Sequence, residues 1–229
     1  MTTDLNTEKL SAFGKKIGSI LNGAAAALMI SVGHKVRLFD VMSDIGACSS
    51  VKLADSAELD ERYVREWLGA MTTAGIVSYD ALRDLYSLPK EHAAMLTRSA
   101  GPRNHSLYMQ YIPLLAQVED QLVEHFKSGG GVPYSEYTTF HAVMAEASAA
   151  RFDNLLIQTV LPLVPDIELH LKSGINVADV GCGSGHAINV MAQNFPNSTF
   201  TGIDFSSEAI GVARNEAEQL GLGNVEFLE

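Results

Sequence analysis

Cysteine is scarce. The 229 residues contain two, Cys48 and Cys182, far apart and outside any CxxC spacing, which removes a disulfide framework and a structural zinc site as organising devices. Basic residues are also few: 16 Lys and Arg stand against 27 Asp and Glu, for a formal net charge of −11. Such a balance keeps a chain soluble and opposes contact with the polyanionic backbone of DNA or RNA, so no nucleic-acid partner is expected. The opening MTTDLNTEKL is polar and acidic, unlike a signal or transit peptide. Long apolar runs are missing too. The uncharged stretch at residues 18–33 is shorter than a typical span, contains Asn22 and is rich in Ala and Gly. It reads as a buried or partner-facing helix, which leaves a soluble, cytoplasmic protein with no membrane partner as the expectation. No internal repeat is evident.

What is present is enough apolar material, 47% of residues, to build a core in each of two modest domains. Residues 8–43 read as helix. Ser49 or Ser50 then suits the start of a short helix and Asp60 the start of another, because a side-chain oxygen there accepts from unpaired N–H groups. Val64, Trp67, Leu68 and Met71 follow the i, i+3, i+4, i+7 spacing of a core face. Gly75 is placed to end that helix, and IVSYD and LYSLP read as two short strands around a turn containing Asp80.

Three helices and a β-hairpin make a winged helix. The segments GHKVRLFDVM, ADSAELDERYVREWLGAMTTAGIV and YSLP resemble the N-terminal domain of many small-molecule O-methyltransferases, which implies a domain used mainly for homodimerisation. A DNA-binding winged helix is the competing reading. It is disfavoured because residues 60–92 hold Asp60, Glu61, Glu66, Asp80, Asp84 and Glu91 against Arg62, Arg65, Arg83 and Lys90.

From Asn104 to about Lys172 the chain reads as mostly helical. A loop at 127–137 interrupts it, with Ser135 suited to cap the next helix, and Pro162 and Pro165 bend or end the last helix. Tyr134, Tyr137, Phe140 and His141 suit either the wall of an aromatic substrate pocket or plain core packing, and core is the preferred reading. From Ile175 the pattern becomes strand, helix, strand, helix, strand, with INVADVG as a buried parallel strand, Ser206 as a helix cap and Gly221 as a terminator. The expected domains are therefore 1–100, 101–172 and 173–229: a mainly helical winged helix, a helical connecting region and a partial Rossmann-like α/β sheet.

The segment VADVGCGSGHA (177–187) with GIDFS (202–206) carries the chemistry. Gly181, Gly183 and Gly185 lie where a strand turns into a helix, so a ligand can approach the backbone closely. Asp204 ends the next strand, where a doubly wound fold places an acid on ribose hydroxyls. A dinucleotide fingerprint needs glycine at the position occupied by His186. The spacing Asp-x-Gly-x-Gly-x-Gly, with Asp179 leading, resembles instead motif I of class I S-adenosylmethionine-dependent methyltransferases. That resemblance implies S-adenosylmethionine as cofactor. Gly181, Cys182, Gly183 and Gly185 form its glycine-rich loop, the first three against the methionine portion. Asp179 orients the loop and the amino group, Asp204 takes the ribose hydroxyls, and Phe205 flanks adenine or ribose unless it is plain core. Cys182 is not a nucleophile on this reading, since methyl transfer needs none from the enzyme. His186 either approaches the cofactor carboxylate or sits exposed, and exposed is preferred. No metal ligand set is expected.

The resemblance covers three strands of a seven-stranded fold with order 3-2-1-4-5-7-6. Strand one is then a naked apolar edge, and no catalytic base can be assigned. The expectation is a fragment truncated after its third strand, inactive alone, from an enzyme that methylates a small-molecule acceptor. The alternative is a dimerisation module that methylates nothing.

Overall fold

The computed structural model describes residues 5–133 and 136–229, with the side chain of His141 left out, so Tyr134, Ser135 and the imidazole of His141 lie outside the described residues. The chain divides into two compact units, Met1–Gln117 and Val118–Glu229.

The first unit contains α1 (Thr7–Lys35), α2 (Leu38–Ile45), α3 (Ser50–Ala57), α4 (Glu61–Thr73), an antiparallel hairpin of β1 (Ser78–Asp80) and β2 (Leu85–Ser87), α5 (Lys90–Leu96), α6 (His105–Tyr108) and α7 (Tyr111–Ala116). The expected continuous helix over 8–43 is corrected: it breaks at Val36 and Arg37, where Arg37 takes a φ of 61°. The break starts a new helix whose apolar face, Leu38, Phe39 and Met42, is buried. The expected caps form. Ser49 Oγ accepts from the Lys52 N–H at 3.2 Å, and Asp60 Oδ1 accepts from the Arg62 and Tyr63 N–H groups at 3.0 and 3.4 Å. Asp80 Oδ1 gathers the N–H groups of Leu82 and Arg83 in the hairpin turn.

Val64, Trp67, Leu68 and Met71 of α4 are all buried, with Phe39 edge-on to Trp67 at 5.1 Å. Trp67 Nε1 donates to the Met29 carbonyl at 2.8 Å. A Cβ on Gly33 would lie 2.4 Å from the Trp67 ring, so only glycine lets α1 approach α4 this closely. A buried polar joint closes the unit. Arg98 Nη1 donates to Asp40 Oδ2 at 2.8 Å and to the His34 carbonyl at 3.0 Å. The His34 ring meets Ser106 Oγ at 3.0 Å and the second guanidinium nitrogen at 3.4 Å.

The first turns of α1 are different. Every residue from Leu5 to Ala25 is exposed, including Leu10, Phe13, Ile17, Ile20 and Leu21. By length and composition alone α1 would also suffice to cross a membrane: its most apolar 18-residue window has a mean hydropathy of 1.4.

The second unit contains α8 (Glu119–Ser128), α9 (Phe140–Leu155), α10 (Ile167–Ser173), β3 (Asn176–Val180), α11 (His186–Asn194), β4 (Thr199–Ile203), α12 (Ser207–Gln219) and β5 (Val225–Leu228). Its sheet is parallel, in the order β3-β4-β5, which is the expected 3-2-1 arrangement. Ser206 Oγ caps α12 by accepting from the Ala209 N–H at 3.2 Å, and Gly221 follows that helix with a φ of 66°. Leu171, Ile188, Phe195, Phe200, Ile210 and Phe227 form the core. The reading of INVADVG as a buried strand is corrected. Exposure alternates along β3, and Val180 is 79% exposed. Its apolar residues were expected to be covered on both faces, as in the interior of a parallel sheet. Here β3 pairs with β4 alone among the described residues.

Candidate functional site

Parallel pairing places Asp179 beside Gly202 and Val180 beside Ile203, so the glycine loop leaves β3 next to the point where β4 ends at Asp204. Two backbone bonds fix it there: the N–H groups of Gly181 and Cys182 both donate to the Ile203 carbonyl, at 2.7 and 3.0 Å. Gly181, Gly183 and Gly185 all have positive φ, at 85°, 56° and 71°. Their surroundings separate them. A Cβ on Gly185 would lie 2.5 Å from the Phe227 ring and 2.6 Å from Ala213, whereas one on Gly181 or Gly183 would meet nothing within 4 Å. Gly185 therefore serves close packing, the task a dinucleotide fold gives to its third glycine, while Gly181 and Gly183 face open space.

That space is a cavity of about 410 Å³. Asp179, the loop Gly181–Ser184, His186, Ala187, Asp204 and Phe205 line one side, and Phe140, Met144, Ser148 and Phe152 of α9 line another. Asp204 Oδ2 accepts the Gly183 N–H at 2.8 Å and Oδ1 accepts the Ser206 N–H at 2.9 Å, so this carboxylate braces the loop. Two of its roughly four acceptor positions remain. Asp179 has no side-chain hydrogen bond among the described residues. Burial, and then the charge of Asp204, raise its carboxyl above the ordinary range. Burial, followed by the charges of Asp179 and Asp204, pushes the Cys182 thiol up to about 11, so it is no thiolate at neutral pH. Phe205 is 74% exposed at the cavity, which overturns the core reading.

The expectation that His186 sits exposed is also corrected. Only 18% of its side chain is exposed, because Asp153 and Glu216 take both ring nitrogens. Of the aromatic cluster, Phe140 lines the cavity and Tyr137 is half-buried near it, their ring centroids 6.4 Å apart. The α9 wall is the part that sequence reasoning missed. Phe140, Met144, Ser148 and Phe152 recur every four residues, a visible signal that is indistinguishable from an ordinary core face without the loop opposite. No group of three or more His, Cys, Asp or Glu side chains among the described residues is placed to hold a metal ion.

Comparison with known proteins matches one segment in each unit. Residues 24–98 match the Rv2258c-like winged HTH domain, and residues 171–229 match a methyltransferase domain. The two matches support a helical winged-HTH domain followed by a partial α/β methyltransferase domain. Methyltransferase ungE' of Aspergillus campestris is 24% identical over 212 residues, covering 91% of this chain and 57% of that protein. The ribosomal RNA small subunit methyltransferase G of Porphyromonas gingivalis is 31% identical over 125 residues, covering 54% of this chain and 53% of that protein. The chain thus spans little more than half the length of either relative. The solved structure of the mitomycin 7-O-methyltransferase MmcR superposes with a TM-score of 0.66 at 18% identity, covering 97% of this chain and 67% of that one, a likeness of fold.

Proposed function

We propose that the cavity at the ends of β3 and β4 binds S-adenosylmethionine, and that the protein carrying this chain transfers its methyl group to a small-molecule acceptor. The observation that carries the reading is an open glycine backbone beside two carboxylates of which one, Asp179, has no hydrogen-bonding partner among the described residues. An anionic pyrophosphate would be repelled by that pair, whereas an ammonium and a sulfonium would be attracted. Gly181, Cys182 and Gly183 would lie along the methionine portion, Asp179 would receive the ammonium, the free acceptor positions of Asp204 would take the ribose hydroxyls, and Phe205 would flank the adenine. When bound, the cofactor supplies an electrophilic methyl group. The chain's own contribution is to hold and orient it and, through the apolar side chains of α9, to exclude water.

Isothermal titration with S-adenosylhomocysteine and with NADH tests this. Binding of the former alone is expected; binding of NADH instead overturns the reading. Asp204→Ala should raise the dissociation constant roughly 30- to 1000-fold, since charge-assisted bonds to two hydroxyls are lost and the Gly183 N–H is released from its brace. Asp204→Asn keeps one acceptor oxygen and should fall between. The small-molecule acceptor is favoured over RNA by the net charge of −11; salt-sensitive submicromolar binding of RNA or DNA duplexes in fluorescence anisotropy would reverse that preference.

For the first unit, a second copy of the chain is the proposed partner. Leu10, Phe13, Ile17, Ile20 and Leu21 are exposed along the first turns of α1, and a helix this apolar needs a covering surface. Sedimentation should show a dimer at micromolar concentration. A monomer, or flotation with lipid vesicles, would overturn the pairing.

A further inference from the structure

His186 opens α11 beside the glycine loop, and both its ring nitrogens meet carboxylates on other helices. Nε2 lies 2.7 Å from Asp153 Oδ1 on α9, and Nδ1 lies 2.5 Å from Glu216 Oε1 on α12. A neutral imidazole has one N–H and one lone pair, so it can donate to only one of them and turns a lone pair on the other. The imidazolium donates to both. We infer that His186 is a protonation-dependent tie that seats α9 over the glycine loop and thereby sets the affinity of the cavity for its cofactor. The second half of this inference rests on the cofactor reading above.

The two bonds are not equally secure. Glu216 is also held from its other oxygen, where Asn189 Nδ2 donates at 2.8 Å, so the α11–α12 contact survives loss of the proton. Asp153 is 55% exposed and has water as a ready alternative, so the tie to α9 is the one that yields. The same helix carries Phe140, Met144, Ser148 and Phe152, one whole wall of the cavity, and Asp153 follows the last of them directly. Among the described residues the charged groups around the imidazole are all acidic: Asp153 and Glu146 from α9, Glu216 from α12, and Asp179 and Asp204 on the cavity floor, with no Lys or Arg among those lining either neighbouring cavity. Burial alone would lower the basicity of His186, but the hydrogen bonds and charges of Asp153 and Glu216 outweigh it and raise the value above the ordinary one. The tie is therefore complete below the unfolded imidazole's value and is lost as pH rises through the elevated folded one.

Two measurements on the full chain between about pH 6 and about pH 9 test this. One is hydrogen exchange over residues 140–155, corrected for the intrinsic pH dependence of exchange; the other is titration with S-adenosylhomocysteine. Protection of α9 should fall roughly tenfold across the window, the worth of one charge-assisted hydrogen bond, and affinity should fall with it. His186→Gln, which cannot be charged, should abolish the step in both. Asp153→Asn should move the step to lower pH, because one of the carboxylates retaining the proton is gone. A flat exchange profile in the wild type, or an unchanged step in His186→Gln, overturns the tie. A step in α9 protection with no cofactor binding at any pH supports the tie and refutes the cofactor reading.

Discussion

The first unit buries His34 and the second half-buries His186, and the two are held in contrasting company. His34 is 1% exposed, between the Ser106 hydroxyl and the Arg98 guanidinium. The Ser106 hydroxyl also has the Leu96 carbonyl at 2.8 Å and Asn104 Oδ1 as oxygen acceptors, so His34 meets a group that can either donate or accept on one side and a guanidinium donor on the other. The ion pair in this joint is the one between Arg98 and Asp40. His186 sits between two carboxylates, which only a charged ring satisfies. The same side chain thus closes a scaffold in one unit and makes a condition-dependent contact in the other. What decides is whether the neighbours are donors or acceptors, rather than depth of burial.

Substitutions can break or sharpen this contrast. The largest expected effect is in the second unit, where Gly185→Ala should cost about 2–4 kcal/mol, from a left-handed conformation unsuited to Ala plus overpacking against Phe227 and Ala213. Chemical denaturation should show it as a loss confined to the C-terminal unit. His34→Ala should cost about 2–3 kcal/mol, because a fully buried ring is removed and a buried hydroxyl and a guanidinium each lose one of their contacts. Its destabilisation should leave exchange in α9 unchanged; a shared response would mean that the units do not melt independently. Ile17→Asp, on the exposed stripe of α1, should leave the helical circular dichroism of the chain intact and weaken self-association roughly tenfold or more in sedimentation, the effect of placing one charge on an apolar interface. Asp179→Asn should have the smallest effect on stability and the opposite sign. Because the folded carboxyl binds its proton more tightly than the unfolded one, its favourable balance is present at acid pH and lost as pH rises through the folded value. At neutral pH the ionised side chain costs stability, so Asn should raise the melting temperature by roughly 1–3 °C while weakening cofactor binding. Stabilisation that persists unchanged in acid would refute the electrostatic origin.

Local chemistry was legible in the sequence. Ser49, Asp60 and Ser206 cap helices where a short polar side chain precedes an apolar period, and Val64 through Met71 bury the face that their spacing marks. The loop from Gly181 to Gly185 and the acid at Asp204 converge because parallel strand pairing forces neighbouring strand ends together. Pairings across long separations were not legible. Asp153, His186 and Glu216 are 33 and 30 residues apart, and nothing local distinguishes them from exposed charges. The same holds for the Arg98–Asp40 pair, separated by 58 positions. The break at Arg37 escaped notice because a left-handed turn there involves neither Gly nor Pro. Exposure of β3 depends on what lies beside and above a strand, which the strand's own residues do not encode.

The indole of Trp67 is donated to the Met29 carbonyl and packed against Gly33 at the crossing of α1 and α4. It is the only tryptophan in the chain. Tryptophan emission therefore comes from a single site at the α1–α4 crossing of the first unit, and a shift to longer wavelength reports water reaching that crossing. Far-ultraviolet dichroism sees the helices of both units, so a fluorescence melt set against a dichroism melt of the same sample separates the unfolding of the first half from that of the whole, with no label attached.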